Sequence, residues 1–110
     1  LAVSQNGGPM TLWRNARGAP GIRVRLRGPA NNPLGIGAQV HIVSGAPRGP
    51  VREVHAGSGY WSMNGATSIL ARRPDARAVM VRWADSTFST VPLLPSQRDV
   101  VVRWNSRSAP

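Results

Sequence analysis

The sequence contains no cysteine and no lysine, and only four of its 110 residues are acidic. Without cysteine, a disulfide framework, a thiolate nucleophile and a thiolate metal site are all excluded. The acidic residues Glu53, Asp75, Asp85 and Asp99 are too scattered to form a local carboxylate cage for calcium. Long apolar runs are also missing, since the longest uncharged stretch is rich in Gly, Pro and Asn; this excludes a transmembrane helix.

The basic side chains are all arginine. Fourteen arginines against four acidic residues give a formal net charge of +10 and a pI near 12.0. Such an excess favours an anionic partner such as nucleic acid. An arginine-only cation set with abundant Ala, Gly and Pro is equally typical of a GC-rich genome, and that explanation involves no ligand. Both interpretations stay open at this level.

Alternation of apolar and charged residues is the clearest structural signal. Residues 22–27 place three aliphatic side chains on one face of a strand and three guanidinium groups on the other. Comparable patterns predict strands over 39–43, 50–55, 78–83, 87–91 and 100–104, with weaker candidates at 2–4, 11–14 and 68–71. Short strands separated by Gly, Pro and Asn turns predict an all-β fold, a small antiparallel sandwich or barrel of about seven or eight strands.

The first 21 residues differ from the rest of the chain. Residues 5–9 form a turn between two short strands, and residues 15–21 have the composition of a linker. Two strands alone are marginally stable in water, so this extension is expected to pack on another surface. We therefore predict an N-terminal extension (1–21), a β-domain (22–104) and a C-terminal tail (105–110). The expected assembly or partner contacts are Val3, Met10, Leu12 and Trp13.

Catalytic and metal-binding chemistry finds little support. There is no Gly-x-Ser-x-Gly sequence that would mark a serine nucleophile. His41 and His55 lie out of phase with the apolar residues of their predicted strands, and no third residue is evident that could complete a metal site with them. The Gly57-Ser58-Gly59 segment lacks the strand and helix that would make it a phosphate loop. We predict that the protein is not an enzyme, with no catalytic residue, no metal and no cofactor.

Two binding surfaces are suggested instead. Arg23, Arg25 and Arg27 lie on one strand face at intervals of about 6.6 Å, a spacing suited to a polyanion. No aromatic residue lies on that strand to stack a base, so nucleic acid is the less favoured ligand. Tyr60 and Trp61 follow a Gly-Ser-Gly turn and are candidate ligand or partner contacts, the alternative being that one ring packs into the core.

Three segments resemble the ASPIC/UnbV domain. Residues 26–40 resemble its opening signature, a strand, a Gly- and Asn-rich loop and an Ile-Gly-Ala-x-Val strand. Residues 52–60 resemble its Glu-Val strand running into Gly-Ser-Gly-Tyr, and residues 79–83 its Val-x-Val-Arg-Trp strand. Two departures are the absence of a Phe-Gly-Leu-Gly-like segment at 69–73 and the Ala-Asp-Ser sequence at 84–86, where the family tends to have Pro-Ser-Gly. Both imply different turns.

The resemblance implies an all-β module that follows the FG-GAP/VCBS-type repeats of a β-propeller. Residues 1–15 resemble the end of the last repeat, without the calcium loop that such a repeat carries. The implied setting is extracellular, cell-surface or periplasmic, without membrane insertion. We expect a structural or interaction role, with the N-terminal segment pairing with a second copy, as a homo-oligomer or filament, or with the parent propeller. The alternative is binding of an acidic polymer, nucleic acid or anionic glycan, by the arginine-rich face.

Overall fold

A computed structural model describes residues 1–45 and 49–105 of the chain. These residues form nine short β-strands and no helix, which confirms the all-β prediction. The strands are β1 (Ala2–Gln5), β2 (Gly8–Leu12), β3 (Ile22–Arg27), β4 (Gln39–Val43), β5 (Arg52–Glu53), β6 (Thr67–Leu70), β7 (Ala78–Arg82), β8 (Phe88–Pro92) and β9 (Asp99–Arg103). Of the predicted tail, residues 106–110 lie outside the described residues.

Two sheets form the body of the molecule. One has the strand order β6-β3-β9 and the other β5-β4-β7-β8, while β1 and β2 form a third, two-stranded sheet. All pairs are antiparallel except β3 and β9, which run parallel in the register Arg23↔Asp99 to Arg27↔Arg103. The expected sandwich was antiparallel throughout. The exception arises because β9 reaches β3 only after the chain has passed through the other sheet, so no hairpin dictates its direction.

The core lies between the two body sheets and follows the alternation of the sequence. β3 shows the pattern most clearly, with Ile22, Val24 and Leu26 buried and the intervening arginines exposed. Burying one such aliphatic side chain contributes about 1.5–3 kcal/mol. The other strands add their own alternate positions, and the remaining buried side chains are Ala38, Val40, Ile42, Leu70, Val79, Val81, Trp83, Val100 and Val102.

Residues 50–55 contribute only the two-residue strand β5, although the sequence predicted a strand across the whole range. Pro50 has no backbone N–H to donate to a neighbouring strand. At the other end, Val54 bonds to the loop before β4: its N–H donates to the Ala38 carbonyl at 2.9 Å, and its carbonyl accepts from Gly37 at 2.8 Å. The second sheet therefore ends in a very short edge strand.

The loop between β3 and β4 is held by one asparagine side chain. The Asn32 amide donates to the Ile36 carbonyl at 2.8 Å and its oxygen accepts the Ile36 N–H at 2.9 Å. Gly35 lies inside this loop with φ of +67° and is buried. A Cβ atom there would lie 2.8 Å from Leu26 Cδ1 and 3.1 Å from Trp83 Cζ3, so the core needs glycine at this position.

The turn after Trp83 keeps a backbone conformation that glycine adopts easily. Ser86 has φ of +67°. Its N–H donates to the Trp83 carbonyl at 2.9 Å, and the Trp83 N–H donates to the Thr87 carbonyl at 2.8 Å. Serine thus occupies a left-handed position where the resembling family tends to have glycine.

Among the described residues, the two body sheets are not joined by strand pairing along two lines: the edge strands β5 and β6 line one shared groove, and the edge strands β8 and β9 line another. We call these lines the β5–β6 seam and the β8–β9 seam. Ser89 bridges the second seam, since its hydroxyl donates to the Arg103 carbonyl at 3.1 Å and accepts from Trp83 Nε1 at 2.8 Å. Nowhere in the described ranges is there a helix long and apolar enough to cross a membrane.

Candidate interaction surfaces

The N-terminal residues 1–13 form a ribbon of two strands, as the sequence predicted. Leu1 and Trp13 close its open end, since each backbone N donates to the other residue's carbonyl at 2.8 Å. The turn follows at Gly7, which has φ of +74°. Among the residues that the structure describes, β1 and β2 pair only with each other. Every ribbon residue except the half-buried Thr11 is exposed.

The four predicted contact residues of the ribbon do not share one face. Opposed residues of an antiparallel pair lie on the same face, and successive residues alternate. The register Val3↔Thr11 and the Leu1–Trp13 closure place Val3 and Trp13 on one face. Leu12, opposite Ala2, lies with Met10 on the other face. Leu12 is 76% and Trp13 65% exposed, so both faces of the ribbon present apolar side chains to solvent.

A second surface is the aromatic tip, formed by Tyr60 and Trp61 in the turn between bridged residues Gly59 and Ser62. Tyr60 is 93% and Trp61 91% exposed, so the alternative that one ring packs into the core is wrong. The rings meet edge to face with centroids 6.1 Å apart. Trp61 has φ of +52°, a conformation uncommon and costly for a bulky residue.

The β5–β6 seam holds a groove of about 530 Å³. Five exposed large apolar residues line it: Leu34, Ile36, Val51, Met63 and Ile69. His55 and Glu53 also line it, with His55 Nδ1 lying 3.5 Å from Glu53 Oε1. Sequence patterns did not identify this groove, because most of its apolar residues lie in loops without periodicity.

The exposed face of the β6-β3-β9 sheet carries the predicted arginines, but they are not equivalent. Arg23 forms an ion pair with Asp99, with Nη2 and Oδ2 2.8 Å apart. Arg25 and Arg27 form no ion pair with any residue that the structure describes. The register places Arg27 beside Arg103, also exposed and without such a pair. We call Arg25, Arg27 and Arg103 the basic row. Arg103 was missed because it belongs to a strand distant in sequence.

The β8–β9 seam adjoins the basic row and holds a groove of about 520 Å³. Its lining includes Phe88 and Thr90 from β8, and Val101 and Arg103 from β9. At one end of this seam Asp85 accepts hydrogen bonds from the Thr87 hydroxyl at 2.6 Å and the Thr87 N–H at 3.0 Å. These bonds, with a third from the Trp104 indole, hold the pKa of Asp85 below its ordinary value despite an opposing effect of burial.

The two histidines lie apart along the second sheet. His41 is half-buried in β4, opposite Met80, and His55 is exposed beyond β5. The register Gln39↔Glu53 and Val40↔Arg52 places His55 beyond the Gln39 end of β4, whereas His41 lies at the centre of that strand. No three His, Cys, Asp or Glu side chains within residues 1–45 and 49–105 are grouped so that they could hold a metal ion.

The described residues thus form an all-β, sandwich-like domain with a separate N-terminal ribbon. The family model described as ASPIC and UnbV matches residues 28–109, and the chain belongs to this family. All three signature segments overlap the matched range. The match does not include residues 1–27, so the resemblance of the opening segment to the end of a propeller repeat stays a prediction. No similar curated protein and no similar solved structure was found.

Asn32 and Gly35, two residues of the opening signature, have structural roles here. Asn32 fixes the loop and Gly35 lets it approach the core. The second signature leads into the aromatic tip, whose base is fixed by the Asn64 N–H donating to Ser58 Oγ at 3.0 Å. The range matched by the family model therefore contains β4 to β9 and the aromatic tip.

Proposed function

We propose that this chain is a non-catalytic interaction module whose N-terminal ribbon pairs with a neighbouring chain. The observation that carries the proposal is the ribbon itself, a two-stranded sheet with exposed apolar side chains on both faces. Two strands alone are marginally stable in water. Addition of the ribbon to another sheet supplies backbone hydrogen bonds along its edge and covers its side chains, which is an established mode of recognition.

The partner is a second copy of the chain or the propeller that the family resemblance implies. Because the ribbon has exposed apolar side chains on both faces, a site between two packed layers covers it better than one open surface does. Pairing between copies gives a closed oligomer if the rotation closes and a filament if it does not. The setting that we propose is extracellular, cell-surface or periplasmic, on the basis of the family resemblance.

The aromatic tip is a second contact in the same proposal. Tyr60 and Trp61 are more than nine-tenths exposed. Tyrosine and tryptophan are enriched among the residues that dominate binding energy at interfaces. Trp61 keeps its ring in solvent at a strained φ, so its contribution to folding does not explain its position.

Light scattering after size exclusion, with hydrogen exchange, tests the assembly of the full chain. We compare the wild type with Leu12→Ser and Trp13→Ser, which change one ribbon face each. Leu94→Ser serves as the control, because Leu94 is a 66% exposed leucine outside the ribbon. We expect concentration-dependent association with protection of the β1 and β2 amides, weakened about tenfold or more by either ribbon variant but not by the control.

Two other outcomes are informative. A monomer whose ribbon amides are as protected as those of β3 means that the ribbon is complete by itself, and contradicts the proposal. A monomer with unprotected ribbon amides favours the parent propeller as the partner over a second copy.

A further inference from the structure

We propose that the exposed face of the β6-β3-β9 sheet binds an acidic polysaccharide, with Arg25, Arg27 and Arg103 as its contacts. This surface is separate from the ribbon and does not depend on the function proposed above. Its three guanidinium groups have no carboxylate partner among the described residues. The neighbouring Arg23 is paired with Asp99 and marks where the basic row ends.

The geometry of the row concentrates positive charge. Arg27 and Arg103 are register partners on adjacent strands, and Arg25 lies two residues along β3 on the same face. Adjacent strands lie about 4.8 Å apart and alternate residues about 6.6 Å apart. Like charges at this distance repel each other, and an anion placed between them removes the repulsion. The guanidinium group is suited to this role, since it binds planar anions through two parallel hydrogen bonds.

The β8–β9 seam gives the ligand a second wall. The register sets Val101 beside Arg25 and Arg103 beside Arg27, and both β9 residues also line the groove of about 520 Å³. Phe88 and Thr90 line its opposite side. A polymer chain lying along β9 therefore meets guanidinium groups on one side and an aromatic ring with a hydroxyl on the other.

The same face is poorly suited to nucleic acid. The outward residues of β3 are all arginines, and Phe88 is the one aromatic ring among the described residues of the adjoining groove, so successive bases of a single strand would find no row of rings to stack on. Duplex recognition generally requires a helix or a two-stranded ribbon that enters a groove, and a three-stranded sheet face does not fit there. Only backbone phosphates would be contacted. A polysaccharide one sugar wide, bearing carboxylates or sulfates, matches a row that follows a single strand.

Titration of the full chain tests this proposal with four probes: a uronic acid polymer, heparin, duplex DNA and neutral dextran. Binding is measured at about 50 mM and about 200 mM salt. The variant is Arg27→Gln with Arg103→Gln. The matched control, Arg52→Gln with Arg77→Gln, removes the same charge from the other sheet, where Arg52 lies in β5 and Arg77 precedes β7. Circular dichroism verifies that both variants are folded.

We expect the uronic acid polymer or heparin to bind more tightly than duplex DNA, dextran not to bind, and affinity to fall as salt rises. We expect the row variant to bind at least about tenfold more weakly and the control to stay within about twofold of the wild type. Equal losses in variant and control would show attraction by net charge alone and overturn the proposal. Tighter binding of DNA, or no binding of either acidic polysaccharide at low salt, would also overturn it.

Discussion

The indole N–H of Trp104 donates to Asp85 Oδ2 across 2.8 Å. Trp104 directly follows β9, and Asp85 lies in the turn between β7 and β8. One hydrogen bond thus joins the two body sheets at the end of the β8–β9 seam. The other carboxylate oxygen of Asp85 accepts from both the hydroxyl and the N–H of Thr87, so the bond to Trp104 depends on an ordered, ionised acceptor.

This relationship predicts a pH dependence of stability. Hydrogen bonds from Thr87, and then from Trp104, place the pKa of Asp85 below its ordinary value of 3.8. A group whose pKa is lowered by folding contributes stability above its unfolded pKa and loses it as the pH falls through the folded pKa. We expect the melting temperature of the wild type to fall as the pH drops from about 5 to about 2, and that of Asp85→Asn to fall less.

Asp75 supplies the control for that experiment. Its pKa is also lowered: partial burial acts to raise it, but hydrogen bonds from Arg73 and from the Gly45 N–H outweigh that effect. The Asp85→Asn variant therefore keeps the acid sensitivity that comes from Asp75. The Asp75→Asn variant should lose that part and keep the part that comes from Asp85. Parallel curves for the wild type and Asp85→Asn would show that the Asp85 bonds contribute nothing to acid stability.

Alanine substitutions at three glycines distinguish the effect of backbone strain on stability from the effect of steric crowding. Gly35 combines φ of +67° with core neighbours at 2.8 Å and 3.1 Å from an added Cβ, Gly57 has φ of +68° and open space, and Gly65 has only open space. Alanine should lower the free energy of unfolding by about 2–4 kcal/mol at Gly35, about 1 kcal/mol at Gly57 and less than about 0.5 kcal/mol at Gly65. Urea unfolding measures the series, and equal effects at Gly35 and Gly57 would contradict the crowding argument.

Substitution of Ser86 or Trp61 by glycine tests whether removing backbone strain stabilises the fold, because both are non-glycine residues at positive φ. Ser86→Gly should raise the free energy of unfolding by about 0.5–1 kcal/mol, even though the exposed hydrogen bond from Arg82 is lost. Trp61→Gly should not lower it, since the ring is 91% exposed. Ser96→Gly, at an exposed serine without positive φ, is the control and is expected to be slightly destabilising.

The strands of the body were predictable because burial on one face imposes a period of two. Residues 22–27 alternate without exception, and the structure buries each aliphatic residue of that row. Residues 50–55 lack the same regularity and carry a proline at their start, so only Arg52–Glu53 became a strand. The N-terminal hairpin was predicted because Asn and Gly favour turns, but the turn is shorter than the predicted range 5–9, since β1 ends at Gln5 and β2 begins at Gly8.

Pairing between distant strands was not predictable from single-strand patterns. The alternation of residues within one strand predicts which face of that strand is buried, but it does not predict which strand pairs with it. The parallel register of β3 with β9 therefore changed the candidate site, since it removed Arg23 from the free cations and added Arg103. Likewise, the register of the ribbon places Val3 and Trp13 on one face and Met10 and Leu12 on the other, which composition alone does not predict.

The juxtaposition of Arg27 and Arg103 predicts a small stability cost in the free protein. Because the two are register partners with like charge, Arg103→Gln should raise the free energy of unfolding by about 0.2–0.5 kcal/mol at low salt. The gain should shrink as salt rises, because exposed charges are screened. Arg52→Gln is the control, its register partner being the apolar Val40. An unchanged or lowered stability of Arg103→Gln at low salt would show that the two guanidinium groups do not repel.

The parallel pairing of β3 and β9 also determines how the domain responds to tension. The chain enters β3 at Ile22 and leaves β9 at Arg103, at opposite ends of the same pair of strands. A pull on these two points acts along the strands, so the hydrogen bonds of the whole ladder share the force and must break together. Single-molecule stretching between residues 22 and 104 should therefore require a higher rupture force than stretching between residues 77 and 93, which peels β7 from β8 one bond at a time.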